Sequence, residues 1–151
     1  MKNNLIYEYF SDDDFLLISD KIKEMEKKTS GEIRVSMPSL EPKGKTIPDI
    51  RKLAEEEFYR LNMNATRDKT GILIYVNLHL KQFYILADSG INDKVDQETW
   101  HSVRNEIQTA FQDGRYLHGV ISGIERVGNI LALHFPIKSD DTNEIPNQVV
   151  I

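Results

Sequence analysis

The chain has 151 residues, 40% apolar and 28% charged, a formal net charge of −5 and no cysteine. These numbers suit one soluble domain with a single sizeable core, and the negative balance argues against non-specific nucleic-acid binding, which needs a basic surface. The missing cysteines exclude disulfides, thiolate metal sites and a cysteine nucleophile, and they fit a reducing, cytoplasmic setting.

The N-terminal stretch MKNNLIYEYFSDDD lacks the long apolar core of a signal peptide. No apolar run approaches the roughly 18 residues of a membrane span, so membrane insertion is not expected. Ser11 followed by Asp12, Asp13 and Asp14 reads as a helix start, because a serine can cap and acids favour the positive helix end. A metal site on that triplet is the weaker alternative. Phe15, Ile18, Ile22 and Met25 continue at helical spacing until Thr29-Ser30-Gly31. Glu32 to Met37 alternates, with Ile33, Val35 and Met37 on one face and Glu32, Arg34 and Ser36 on a less buried one, as in a strand near an edge. Pro42 and Gly44 mark a loop, and a second helix follows from about Pro48, with Ile50, Leu53, Ala54, Phe58 and Leu61 inward and Glu55-Glu56-Glu57 mostly solvated.

The runs Ile72–Val76 and Phe83–Ala87 read as an antiparallel hairpin, and neither alternates cleanly, so both sheet faces should be covered. Val95, Trp100, Val103, Ile107, Ala110 and Phe111 mark a third helix, stopped by Asp113-Gly114. A fourth runs from about Tyr116 to His134, and Gly119 and Gly123 on one of its faces imply close packing. The expected fold is α/β, a three-layer α/β/α sandwich around a small mixed sheet. It comprises one domain over 1–137, followed by a flexible acidic tail over 138–151. The first strand, second helix and second strand form a β-α-β unit with parallel strands and a right-handed crossover.

That topology brings Glu32, Asp68 and Asp88 toward one end of the sheet, with Asp93 and Asp96 just beyond. Loop carboxylates, hydroxyls and carbonyls are what Ca2+ or Mg2+ prefers, and clustered acids without a cation repel. The competing reading makes Asp68 and Asp88 turn formers and Asp96 a helix cap. Asp88 to Asp93 starts like an EF-hand loop but has Asp93 where glycine is required and Thr99 where glutamate is required. His79, His101, His118 and His134 show no ligand spacing, and there is no Walker A, GxSxG or HExxH pattern.

Three segments carry a family resemblance: Ser30-Gly31-Glu32-Ile33-Arg34-Val35, Arg67-Asp68-Lys69-Thr70-Gly71-Ile72-Leu73-Ile74, and Ile85-Leu86-Ala87-Asp88-Ser89-Gly90-Ile91. With Phe111, Gly114, Tyr116 and Gly119 before the last helix, the chain from Phe15 to Leu133 resembles the TPM domain, first catalogued as a domain of unknown function. The resemblance implies an α/β/α sandwich with a divalent-cation site at one end of the sheet. Relatives include a thylakoid acid phosphatase and accessory domains of membrane proteins. Carried over, Asp68 and Asp88 match acidic loop positions and Glu32 follows the first glycine turn. Asp93 and Glu32 are secondary metal candidates, and Arg67 or Lys69 could pair with phosphate, helped by the N-terminus of the third helix. Two readings follow: a metal-assisted phosphatase acting on a phosphoester, and a metal-ordered module for a protein partner. The segment Ala87-Asp88-Ser89-Gly90 is less glycine-rich than in many relatives, and the signal peptide, membrane helix or low-complexity tail that many carry is not seen.

Overall fold

The computed structural model describes residues 5–38, 49–137 and 149–151. After a single 3-10 turn (Leu5–Glu8), helix α1 spans Asp12–Glu26. Its start is a capping box: Ser11 Oγ accepts from the Asp14 amide at 3.1 Å and Asp14 Oδ2 accepts from the Ser11 amide at 2.9 Å. The Asp triplet thus begins a helix, as its charge suggested. Strands β1 (Glu32–Ser36), β2 (Gly71–Asn77) and β3 (Gln82–Ala87) form one sheet in that order. β1 pairs parallel to β2, with Glu32 opposite Gly71, and β2 pairs antiparallel to β3, with Ile72 opposite Ala87. Helix α2 (Ile50–Arg60) lies between β1 and β2 in the chain. Short helix α3 (Ser89–Asn92), then α4 (Gln97–Gln112) and α5 (Tyr116–His134) follow β3.

Side-chain alternation along β2 divides the interior into two cores. Ile72, Ile74 and Val76 join Ile33 and Val35 under α1, α4 and α5, while Leu73 and Tyr75 pack with Ala54 and Phe58 of α2. The expected three-layer sandwich is what forms. All of β2 is buried, but β3 is an edge strand and most of its residues stay half-buried, so the continuous apolar run Phe83–Ala87 overstated its burial. The N-cap residue of α5, Arg115, makes no side-chain capping hydrogen bond among the described residues, so the helix relies on packing. A Cβ at Gly119 would stand 2.7 Å from the Phe111 ring, and one at Gly123 would stand 2.7 Å from Ile107 of α4. The glycines let α5 seat against α4, as their spacing indicated.

Two expectations about charge need correcting. The polar face of β1 is not open: Glu32 and Ser36 are both buried, Ser36 against Glu57 of α2. Glu57 is also buried, because Ser36 Oγ donates to its Oε2 and Arg60 Nε donates to its Oε1 at 2.6 Å. Its two neighbours Glu55 and Glu56 remain on the more accessible side.

The outer edge of β1 is covered. The Ile33 amide donates to Glu26 Oε2 at 2.8 Å, the Val150 amide donates to the Val35 carbonyl at 3.0 Å, and the Met37 amide donates to the Val150 carbonyl at 2.8 Å. Of the stretch 138–151, only its last three residues are described, and Val150 sits there as an isolated parallel bridge to Ser36. The Pro42 and Gly44 loop lies outside the described residues. No helix among the described residues is long and apolar enough to cross a membrane.

Candidate functional site

The two loops foreseen to meet do meet. The Glu32 amide donates to the Thr70 carbonyl at 3.3 Å, and the Asp88 amide donates to the Gly71 carbonyl at 2.9 Å. So β1's start, β2's start and β3's exit share one end of the sheet. The loops come into close contact at Gly90. A Cβ there would stand 2.1 Å from the Asp68 carbonyl oxygen and 2.5 Å from that of Lys69. Only a glycine lets α3 rest on that backbone. Lys69 bends the facing loop through a left-handed conformation, φ 57°.

Each acid has a defined place. Asp88 caps α3, with Oδ1 accepting from the Ser89 amide at 2.8 Å, so the turn-former reading holds for this oxygen. Its Oδ2 is buried without a hydrogen-bond partner among the described residues. A buried, undonated carboxylate oxygen is costly unless a proton or a cation supplies the missing interaction. Thr66 Oγ1, on the segment leading into β2, is buried and unpartnered as well. The Asp68 carboxylate is partly exposed and faces Arg67, 3.4 Å away. Asp93 closes α3 at its C-terminal end and is exposed. Asp96 caps α4 through the Thr99 amide at 2.9 Å, which holds its carboxyl below the usual range, with the Thr99 hydroxyl the largest cause.

Glu32 turns to a different partner. Its carboxyl lies beside that of Glu26, at the end of α1. Burial pushes the Glu26 carboxyl up to about 9, the Ile33 amide opposes this, and the neighbouring Glu32 adds to the rise. Glu26 Oε1 finds no donor among the described residues, and one proton on the pair lets the two carboxyls bond each other. Glu26 was overlooked in the sequence. Its signal is an acid in the last turn of a helix, where the dipole favours a base. Among the described residues no group of three or more His, Asp or Glu side chains forms a ready metal cage. A cation here would therefore draw on few carboxylates, completed by water and backbone oxygen, as hard cations accept.

The two basic candidates are turned to local partners. Arg67 Nη2 pairs with Asp68, and Lys69 Nζ donates to the Asn64 carbonyl.

The TPM domain family model matches residues 7–130. The BA42 protein of the psychrophilic bacterium Bizionia argentinensis, solved by NMR, is 38% identical over 94% of this chain and 94% of its own, with a TM-score of 0.82. The N-terminal domain of a protein from P. gingivalis shares the fold at 15% identity, with a TM-score of 0.61, over 82% of this chain and 76% of its own. No curated protein matches the chain. A family match across most of the chain, with the loop meeting and sheet order described above, establishes that this protein belongs to the TPM domain family.

Proposed function

We propose that this protein is a divalent-cation-binding domain in which Ca2+ or Mg2+ ties the Asp68 loop to the Asp88 loop and orders that surface for a protein partner. The observation that carries this is Asp88 Oδ2, buried without a partner among the described residues, on a loop that Gly90 fixes against Asp68 and Lys69. Asp88 would be the primary ligand and the Asp68 carboxylate the second. Asp93 stands farther out and Glu32 is engaged with Glu26, so both are secondary. A bound cation would neutralise these carboxylates and could polarise a phosphate oxygen.

Metal-assisted phosphoester hydrolysis, with Arg67 or Lys69 on the phosphate, is the other reading that family membership suggests. In that reading phosphate would draw Arg67 from Asp68 and Lys69 from the Asn64 carbonyl, while the cation would draw Asp68 from Arg67 in either case.

Titration with Ca2+ or Mg2+ should move the amide resonances of Asp68–Gly71 and Asp88–Asp93 together, at one concentration. At 100 times Kd the cation should stabilise the fold by about 2.7 kcal/mol. Asp88→Asn should weaken both effects, since an amide is a poorer ligand for a hard cation. Shifts confined to Asp12–Asp14, or none at millimolar metal, would sink the site. Robust phosphoester turnover with Mg2+, Ca2+ or Mn2+, lost in Asp68→Asn, would replace the interaction module with the phosphatase.

A further inference from the structure

A second candidate site lies at the opposite end of the sheet, roughly 20 Å away along β2. There the β2–β3 link, the end of α4 and the start of α5 surround a cavity of about 480 Å3, within the usual span for a small-molecule pocket. Four aromatic rings line it: Tyr9, Phe83, Phe111 and Tyr116. They form a connected set. Tyr9 meets Tyr116 edge-on at 4.7 Å, Phe83 meets Phe111 at 5.5 Å, and Phe111 meets Tyr116 at 5.6 Å. All four remain only half-buried. Gly119 lets the Phe111 ring press onto α5, so this wall is held in place.

The polar lining is equally distinctive. Gln82, Gln108 and Gln112 are exposed in the cavity, and each amide offers both donors and an acceptor. Among the described residues of the lining, Lys81 is the one that carries a charge, on a chain whose net charge is −5. A left-handed backbone at Lys81, φ 53°, and a bond of 3.1 Å from the Leu80 amide to Asn77 Oδ1 shape the turn that presents it.

We propose that this cavity binds a heteroaromatic ring carrying an anionic group, with the chemistry of a nucleoside monophosphate. The aromatic wall supplies faces and edges for a planar ring. Glutamine amides match the alternating donors and acceptors of a heteroaromatic edge. Lys81 supplies the point charge for the anion. A purely aliphatic ligand would leave the three glutamine amides and the lysine unused.

The test is an amide-detected NMR titration with adenosine 5′-monophosphate, and separate titrations with adenosine and with ribose 5-phosphate. Adenosine 5′-monophosphate should move the Asn77–Phe83 backbone amides and the Gln108 and Gln112 side-chain amides. Adenosine should move the glutamine signals with lower affinity. Lys81→Gln should weaken the monophosphate about fivefold and leave adenosine unchanged. Gln112→Ala should weaken adenosine and the monophosphate alike. The proposal is overturned if ribose 5-phosphate matches the monophosphate, which reduces the effect to a surface ion pair. It is also overturned if Asp68–Gly71 and Asp88–Asp93 respond in place of the cavity, or if no cavity signal moves.

Discussion

Replacing Gly90 with alanine tests whether the loop meeting is a rigid contact. The added Cβ would stand 2.1 Å from the Asp68 carbonyl oxygen and 2.5 Å from that of Lys69, and both are backbone atoms that cannot rotate aside. Relief requires α3 to lift by about 1 Å, which strains the hydrogen bond from the Asp88 amide to the Gly71 carbonyl and the seat of fully buried Ile91. Overpacking of this kind costs about 1–3 kcal/mol, and the rigid partners place it near the top of that range. Alanine's better helix propensity returns up to about 1 kcal/mol. The net expectation is about 2 kcal/mol of destabilisation, or a Tm lower by roughly 4–8 °C for a chain of this length. Urea denaturation at constant m-value measures it. Gly114 is the control. Its φ is +77° and nothing lies within 4 Å of a Cβ there, so alanine costs about 1–2 kcal/mol through conformation alone and asparagine costs less. At Gly90 asparagine should be no better than alanine, because space is the constraint. A Gly90→Ala protein as stable as the parent would refute the rigid contact.

Three further outcomes follow from the buried charges and the cap. The Glu26 carboxyl, raised to about 9, holds its proton in the native state but releases it on unfolding above the ordinary carboxyl range. Stability should therefore fall as pH rises from about 5 to about 9, by at most about 1.4 kcal/mol per unit, and Glu26→Gln should flatten the profile and exceed the parent at pH 8 in urea melts. Burial alone would raise Glu57, but hydrogen bonds from Arg60 and Ser36 outweigh it and hold the carboxyl below its usual range. Its contribution is present above that range and lost as pH falls through the lowered value, so Glu57→Gln should cost about 2 kcal/mol at pH 7 and progressively less in acid. Ser11→Ala removes one half of the α1 capping box and should cost about 1 kcal/mol in the same assay.

Much of the frame was legible because it rests on local pattern. The β-α-β order, the hairpin and the span Tyr116–His134 follow from apolar spacing and from Gly114 and Pro136. α3 escaped because Ser89–Asn92 is a single turn, too short for any period. Glu57 escaped because its burial depends on Ser36, which reaches it only across the crossover. The meeting of the Asp68 and Asp88 loops was legible from topology alone. The pairing of Glu32 with Glu26 was not, since it depends on where α1 ends relative to β1. The aromatic cavity gathers residues from four separate segments, and no single stretch announces it.

The sheet also dictates an order of assembly. β2 and β3 are joined by the short link Leu78–Lys81, and α4 and α5 by Asp113–Arg115, so both pairs can form early at small loop-closure cost. β1 must instead cross from Ser36 past all of α2 to find Gly71, and its outer edge awaits the far end of the chain at Val150. Contacts of such separation close late on a folding pathway. Until they do, the β1-facing edge of the hairpin is an open template for strands of other chains. Self-association should therefore peak during refolding rather than in the native state, and it should diminish when protein concentration is lowered at that step.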